Sequence, residues 1–234
     1  MKKNKLGVLG ASGRMGQEIL KCLDGQTKFE AFLGWSNTNQ TTGYKHNVSR
    51  LEPDLVDKVD IWIDFSTPDA LMNAIPKISR SKKPIVSGTT GMNEIQLKKL
   101  KGLSTNTAVM WSSNMSLGIA VLMKTIENLQ MISHFDFQIE ETHHKMKKDS
   151  PSGTALSLQK KLEKVTQSTL PDPLSMRGGG VIGVHKIWAY GEEETLCFEH
   201  VALQRRVFAR GALWAAEKLL KKSKGFYEFG DLLK

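Results

Sequence analysis

Lys5-Leu6-Gly7-Val8-Leu9-Gly10-Ala11-Ser12-Gly13-Arg14-Met15-Gly16-Gln17-Glu18-Ile19-Leu20-Lys21-Cys22-Leu23 is the stretch on which the fold reading turns. Lys5–Gly10 is a short apolar run ending in glycine, and Arg14–Leu23 carries Met15, Ile19, Leu20 and Leu23 at helical spacing. Between them, Gly10, Gly13 and Gly16 follow a G-x-x-G-x-x-G pattern. Glycines there permit a tight turn and close backbone approach, and the helix start then offers unpaired N–H groups and a positive dipole end to a pyrophosphate. A plain strand-to-helix turn uses glycine too, but the position between strand and helix favours the ligand-binding reading. The competing phosphate loop, G-x-x-x-x-G-K-[ST], occurs nowhere in the chain.

Outward from this turn, strand-like and helix-like segments alternate. Phe29–Leu33 reads as a second strand, Ile61–Phe65 as a third, Pro84–Ser87 as a fourth and Ala108–Trp111 as a fifth. Helices are expected over 70–79 and 93–103. Such alternation predicts a doubly wound parallel sheet with ligands at the carboxyl ends of its strands. The turn segments Asp64-Phe65-Ser66-Thr67 and Gly88-Thr89-Thr90-Gly91 fall on that rim, where each is either a threonine-capped turn or part of the site. Ser112-Ser113-Asn114-Met115 follows the fifth strand. Beyond it the pattern changes. A long apolar helix is expected over 117–131, a strand over 135–141, a helix over 154–165, two strands over 181–190 and 195–202 joined through Gly191–Glu194, and a last helix over 209–222. Adjacent strands imply a mixed or antiparallel sheet in a second domain.

The 234 residues suit one large domain or two small ones, and 40% hydrophobic with 24% charged residues is an ordinary globular balance. The net charge of +9 points to an anionic partner. Cys22 and Cys197 form no disulfide framework or metal-ligand spacing, and Cys197, in mid-strand, reads as core. The Leu6–Gly10 run is too short for a signal peptide, and no segment is long and apolar enough to span a membrane. A cytoplasmic protein is expected.

The densest chemistry lies in Glu140-Glu141-Thr142-His143-His144-Lys145-Met146-Lys147-Lys148-Asp149-Ser150-Pro151-Ser152-Gly153-Thr154-Ala155. Two adjacent histidines and three lysines precede Ser152-Gly153-Thr154, which has the chemistry of a helix start. Helix-start N–H groups beside ammonium and imidazole groups bind carboxylates or phosphates. A metal site is disfavoured, because adjacent histidines on extended backbone point to opposite sides and no third ligand has fitting spacing. A nucleic-acid patch would want interleaved aromatics, and a solvated charge run would not need the histidine pair. Acid–base chemistry on a bound carboxylate is favoured, with Arg205-Arg206 offering a further cation. The remaining lysines, such as Lys98-Lys99 and Lys221-Lys222, are expected on solvated helix faces.

These residues resemble the 4-hydroxy-tetrahydrodipicolinate reductase family, also called dihydrodipicolinate reductase, of the diaminopimelate and lysine pathway. The resemblance covers nearly the whole chain. It rests on Gly10–Gly16, Asp64–Thr67, Gly88–Gly91, Asn114–Gly118 and above all the E-x-H-H-x-x-K-x-D-x-P-S-G-T-A block from Glu141 to Ala155. It implies an NADH- or NADPH-dependent reductase acting on a small cyclic imine dicarboxylate, with no metal, nucleic acid or membrane partner. By position, His143 matches the family's acid–base residue and Lys147 its proton donor. His144, Ser152, Gly153, Thr154 and Arg205 match the substrate carboxylate site. Cofactor contacts carry over to Gly10, Ala11, Ser12, Gly13, Arg14 and Met15, to Gly88, Thr89 and Thr90, and to Ser112, Ser113, Asn114 and Met115. The implied architecture is α/β: a Rossmann-like parallel-sheet domain, residues 1–112 with 206–234, and an α+β substrate and tetramerisation domain with a mixed sheet, residues 113–205. A homotetramer follows from the same resemblance.

Two departures stand out. Where many members carry Glu-Arg after the second strand to read the ribose and its 2′-phosphate, this chain has Gly34-Trp35, within Leu33-Gly34-Trp35-Ser36-Asn37, so neither cofactor is selected. The segment around Ser168–Met176 is trimmed, which bears on the tetramer surface. Among other dehydrogenases, a two-domain amino-acid or sugar type is the runner-up. A short-chain type would need Tyr-x-x-x-Lys, and none of Tyr44, Tyr190 or Tyr227 has a lysine four residues on.

Overall fold

Strands buried on both faces read as continuous apolar runs, and the N-terminal half of the chain is built from them. The computed structural model describes residues 2–25, 28–36 and 43–233. Two compact units divide the chain, Met1–Met115 with Phe208–Lys234, and Ser116–Val207. In the first unit, β1 (Asn4–Leu9), β2 (Phe29–Trp35), β3 (His46–Val48), β4 (Ile61–Asp64), β5 (Ile85–Ser87), β6 (Ala108–Trp111) and β11 (Gly225–Tyr227) form one sheet. Its order is β11-β6-β5-β4-β1-β2-β3, every pair parallel. The order reverses between β1 and β4, and it is at the carboxyl ends beside such a reversal that open parallel sheets bind their ligands. The glycine turn after β1 and the Asp64–Thr67 turn after β4 flank that point.

Helices cover the sheet with faces set by the 3.6-residue period. In α1 (Arg14–Leu23), Gly16, Ile19 and Leu23 are buried; in α3 (Pro68–Ile78), Ala70, Leu71, Ala74 and Ile78 are. Leu9, Leu33, Trp62, Leu71, Ile85 and Leu100 share one core cluster. The single turn α2 (Pro53–Val56), α4 (Glu94–Gly102) and α7 (Arg206–Leu219) complete the set.

The second unit holds a four-stranded sheet ordered β10-β9-β7-β8, from β7 (Asp136–His143), β8 (Leu174–Arg177), β9 (Gly183–Tyr190) and β10 (Thr195–Ala202). β7 with β9 and β9 with β10 are antiparallel, whereas β7 with β8 is parallel. Burial alternates along β7 and β9 with period two. On the covered face, Phe137, Ile139, Ile187 and Ala189 pack against Leu122 and Ile126 and against Leu158 and Leu162 of α6 (Gly153–Thr166). On the other face Leu174, Met176, Tyr190 and Val201 are exposed, and Trp188 stacks on Tyr190.

Several expectations need correction. The apolar helix expected over 117–131 is α5 (Leu117–Thr125) followed by a 3₁₀ segment, Ile126–Ile132. The Thr125 hydroxyl donates to the Val121 carbonyl at 3.1 Å, a local bond that competes with continued α-helix. Cys197 is exposed rather than core, because its register with Trp188 places it on the uncovered sheet face. Strands β3, β8 and β11 were not expected; three or four residues carry too little periodicity to show. The last helix ends at Leu219, so Lys221-Lys222 follow it. The cap after β5 is Asn93, in a capping box with Gln96, and not a threonine of 88–91. Gly34 and Trp35 lie inside β2 rather than after it.

Candidate active site

The first-unit residues singled out from the sequence gather along the carboxyl edge of β1, β5 and β6. Gly10 has φ +79°, and its N–H and that of Ala11 donate to the Trp35 carbonyl at 2.9 and 3.0 Å. Gly13 N donates back to Gly10 O at 3.0 Å, closing the turn. Gly13 is the N-cap of α1 with no side-chain cap, and the first turn of α1 holds no acidic residue. That positive helix end is therefore not neutralised from within the helix, and Gly13 and Arg14 are exposed beside it while Ser12 and Met15 are half-buried. A pyrophosphate fits this turn, because the glycines leave its backbone approachable.

Asp64 ties the neighbouring turns together. Its carboxyl, fully buried, accepts from Ser66 N and Ser66 Oγ on Oδ1, and from Ser87 Oγ and Thr89 Oγ1 at 2.6 and 2.8 Å on Oδ2. Burial raises its pKa, against the pull of those bonds. Thr89 consequently turns its hydroxyl inward, so what it offers a ligand is backbone, and its carbonyl already accepts from Trp111 Nε1. Gly88 and the exposed Thr90 flank it. Ser112 is occupied similarly, donating to Asn114 O at 2.6 Å, while Ser113 is exposed and Met115 is 1% exposed. Asp64→Ala should strand Ser66 N and Ser87 Oγ, at about 1–3 kcal/mol per stranded buried donor, and lower the melting temperature by about 5–10 °C. Thermal unfolding followed by circular dichroism checks this; an unchanged midpoint would deny Asp64 its organising role.

At the end of β2, Tyr44 accounts for the bare glycine. A Cβ on Gly34 would lie 2.6 Å from the Tyr44 ring, whose hydroxyl donates to Gly16 O at 3.0 Å. Burial pushes the phenol pKa up, and Tyr44 stays neutral. Trp35 points into the core and donates to Ser49 O. Among the described residues that end this strand, Gly34, Trp35 and Ser36, none is charged; Asn37 lies outside the described residues.

In the second unit, β7 carries Glu141 and His143 on one face, two residues apart. Glu141 Oε2 pairs with His143 Nδ1, and Oε1 accepts from Arg177 Nη2 at 2.8 Å and Ser152 N at 3.1 Å. Burial works against the Glu141 charge, but the bonds from Arg177 and His143 outweigh it and hold its pKa at about 2. For His143 burial wins over the pull of Glu141, and its pKa falls. Ser152 caps α6, accepting from Ala155 N, and meets His185 Nε2 at 3.2 Å. Desolvation, with His143 nearby, drives His185 down to about 3.

Lys147 Nζ lies 2.9 Å from Asp149 Oδ1, and the Gly153 backbone N–H also favours the Asp149 charge. Burial opposes the Asp149 charge, but the Lys147 bond prevails and lowers its pKa. An internal carboxylate thus already sits at the start of α6, beside half-buried Thr154. His144 Nε2 meets Arg205 Nη2 at 3.2 Å. The structure brings together His143, Ser152 and Glu141 in one network, and His144 with Arg205 in another.

Glu141, Asp149, Arg177 and His185 received no role from the sequence. Glu141 had a visible signal, since i and i+2 on a strand share a face. Arg177 had none, because its place beside His143 follows from the β7–β8 register.

A switch-point glycine turn on a parallel sheet, with an imidazole and ammonium cluster in a mixed-sheet unit, defines an oxidoreductase that uses a nicotinamide dinucleotide. Within that class, the chain belongs to the dihydrodipicolinate reductase family: the model of the family's N-terminus matches residues 4–115 and that of its C-terminus residues 118–233. It is 47% identical over 233 residues to the 4-hydroxy-tetrahydrodipicolinate reductase of Bdellovibrio bacteriovorus, covering 100% of this chain and 97% of the relative. The enzyme of the same name from Thermosipho africanus is 35% identical, with 98% of each chain covered. A dipicolinate-bound dihydrodipicolinate reductase from Paenisporosarcina sp. TG-14 superposes with TM-score 0.83 at 22% identity, covering 97% of this chain and 98% of that one. An aspartate dehydrogenase from Thermotoga maritima gives 0.57 at 11% identity, with 95% and 98% covered. Among the described residues, no helix is long and apolar enough to cross a membrane.

Proposed function

We propose that this protein catalyses the NADH- or NADPH-dependent reduction of 4-hydroxy-tetrahydrodipicolinate to tetrahydrodipicolinate and water, in the cytoplasm, as a step of diaminopimelate and lysine biosynthesis. The observation that carries this reading is the Glu141–Thr154 block, which places an imidazole, an ammonium and a helix start beside one another. The first unit is the dinucleotide-binding domain and the second the substrate and assembly domain.

When bound, the nicotinamide supplies the hydride. Gly10, Ala11, Ser12, Gly13, Arg14 and Met15 hold the pyrophosphate against the start of α1. The backbone of Gly88, Thr89 and Thr90, with Ser112, Ser113, Asn114 and Met115, lines the nicotinamide end. His144, Ser152, Gly153, Thr154 and Arg205 receive the substrate carboxylates, while Asp149 keeps its hold on Lys147. Water leaves as the ring hydroxyl departs with a proton that His143 relays from the adjacent ring carbon; once hydride has reached the unsaturated ring, Lys147 gives the one proton that quenches the negative charge. With no charge at Gly34-Trp35, these two residues neither repel a 2′-phosphate nor bind it, so they select neither NADH nor NADPH.

The open sheet face, with Leu174, Met176, Trp188, Tyr190 and Val201, supports a homotetramer. Its light-scattering mass would be four times the 26.1 kDa chain.

A coupled assay tests the activity: product of dihydrodipicolinate synthase is supplied and absorbance loss followed with NADH and NADPH in turn. Oxidation of neither would overturn the reading. Arg205→Ala should raise the Michaelis constant for substrate more than it lowers turnover. The reverse split would show that Arg205 supports structure instead of holding a carboxylate.

A further inference from the structure

We propose that Glu141 is a positioning residue of this site, holding the His143 ring with its hydrogen on Nδ1 and so leaving Nε2 as the nitrogen that exchanges protons with substrate. The inference rests on the reading of His143 as the acid–base group.

The bonding around Glu141 determines the tautomer. Oε1 is taken by Arg177 Nη2 and Ser152 N, and a guanidinium and a backbone N–H can only donate. Oε2 faces His143 Nδ1. An ionised carboxylate can only accept, so the hydrogen between them belongs to Nδ1. The imidazole itself stays neutral, as its lowered pKa requires, and a neutral ring with Nδ1–H has a bare Nε2.

Every element around the ring agrees with this. From β8, Arg177 offsets the buried charge of Glu141. From β9, His185 stands edge-on with ring centroids 5.0 Å apart and is itself uncharged near neutral pH. The Lys147 ammonium, after β7, disfavours a second positive charge on the ring. Nε2 lies over Gly183, where a Cβ would stand 3.0 Å away, and has no hydrogen-bond partner among the described residues.

Glu141→Gln makes a directional test. Arg177 and Ser152 N still demand an acceptor where Oε1 was, so the amide oxygen must lie there. The amide NH₂ then faces His143 Nδ1 and forces the hydrogen to Nε2. Turnover should fall by about 10²–10⁴ through this wrong tautomer, with the Michaelis constant for NADH unchanged. Nitrogen-15 imidazole spectra of the wild-type enzyme, with the His143 signals assigned by their loss in His143→Gln, should show Nδ1–H and bare Nε2. In Glu141→Gln they should show the reverse.

Wild-type spectra with the hydrogen on Nε2 would overturn the inference even if the variant failed to fold. Full turnover in Glu141→Gln alongside impaired His143→Gln would overturn it as well, leaving the role of His143 intact. Full turnover in His143→Gln would instead remove the reading on which the inference stands.

Discussion

Replacing Lys147 with alanine is expected to lower turnover by about 10²–10⁴, the usual worth of a positioned general acid. The Lys147 ammonium is held by the Asp149 carboxylate at 2.9 Å, just ahead of the start of α6. A substrate carboxylate arriving at the start of α6 therefore meets a proton donor already oriented beside it. Hydride addition to an unsaturated ring next to a C=N group builds negative charge, and a nearby ammonium quenches it by proton transfer. Removing the ammonium leaves that charge to water, while the glycine turn of the first unit keeps its shape. Steady-state turnover and fluorescence titration with NADH separate the two effects. Wild-type turnover in Lys147→Ala would reject the assignment, and a comparable loss of NADH affinity would mean that Lys147 serves the cofactor instead.

Gly16→Ala is expected to weaken dinucleotide binding by about ten- to a hundredfold, from overpacking strain of about 1–3 kcal/mol in the turn. A Cβ on Gly16 would stand 2.5 Å from both Gly10 O and Ala11 O, which are backbone atoms without a rotamer to retreat into. The turn cannot swing outward cheaply. Gly10 N and Ala11 N are pinned to Trp35 O, and Ala11 O accepts from Gln17 Nε2 at 3.0 Å. The helix start is pushed away from the place where a pyrophosphate would meet it. Fluorescence titration with NADH and NADPH measures the loss; unchanged affinity for both would detach this turn from cofactor binding.

Much of the first unit was legible along the chain. The strand from Lys5 and the helix Arg14–Leu23 match observed elements because each is long and apolar enough to display its period, and the four-residue strand Ala108–Trp111 showed as an unbroken apolar run. The Ser152 cap was legible as well, since capping chemistry acts within three residues. Cys197 was misplaced for the opposite reason: a position in mid-strand does not say which face of the sheet is covered. Gly34 looked like a missing reader after a strand, whereas the space belongs to Tyr44, ten residues further on.

Local order explains what could be read directly: periodicity, turn glycines and caps depend on neighbours within about a dozen residues, and they named the parallel sheet, its glycine turn and the His143–Thr154 block. The partnership of Glu141 with Arg177, the cross-strand seat of His185 and the carboxyl of Asp64 beneath three hydroxyls depend on strand register and chain crossings over tens of residues. Register is set by collective pairing and burial across a whole sheet, so the groups that orient the site emerged with the fold.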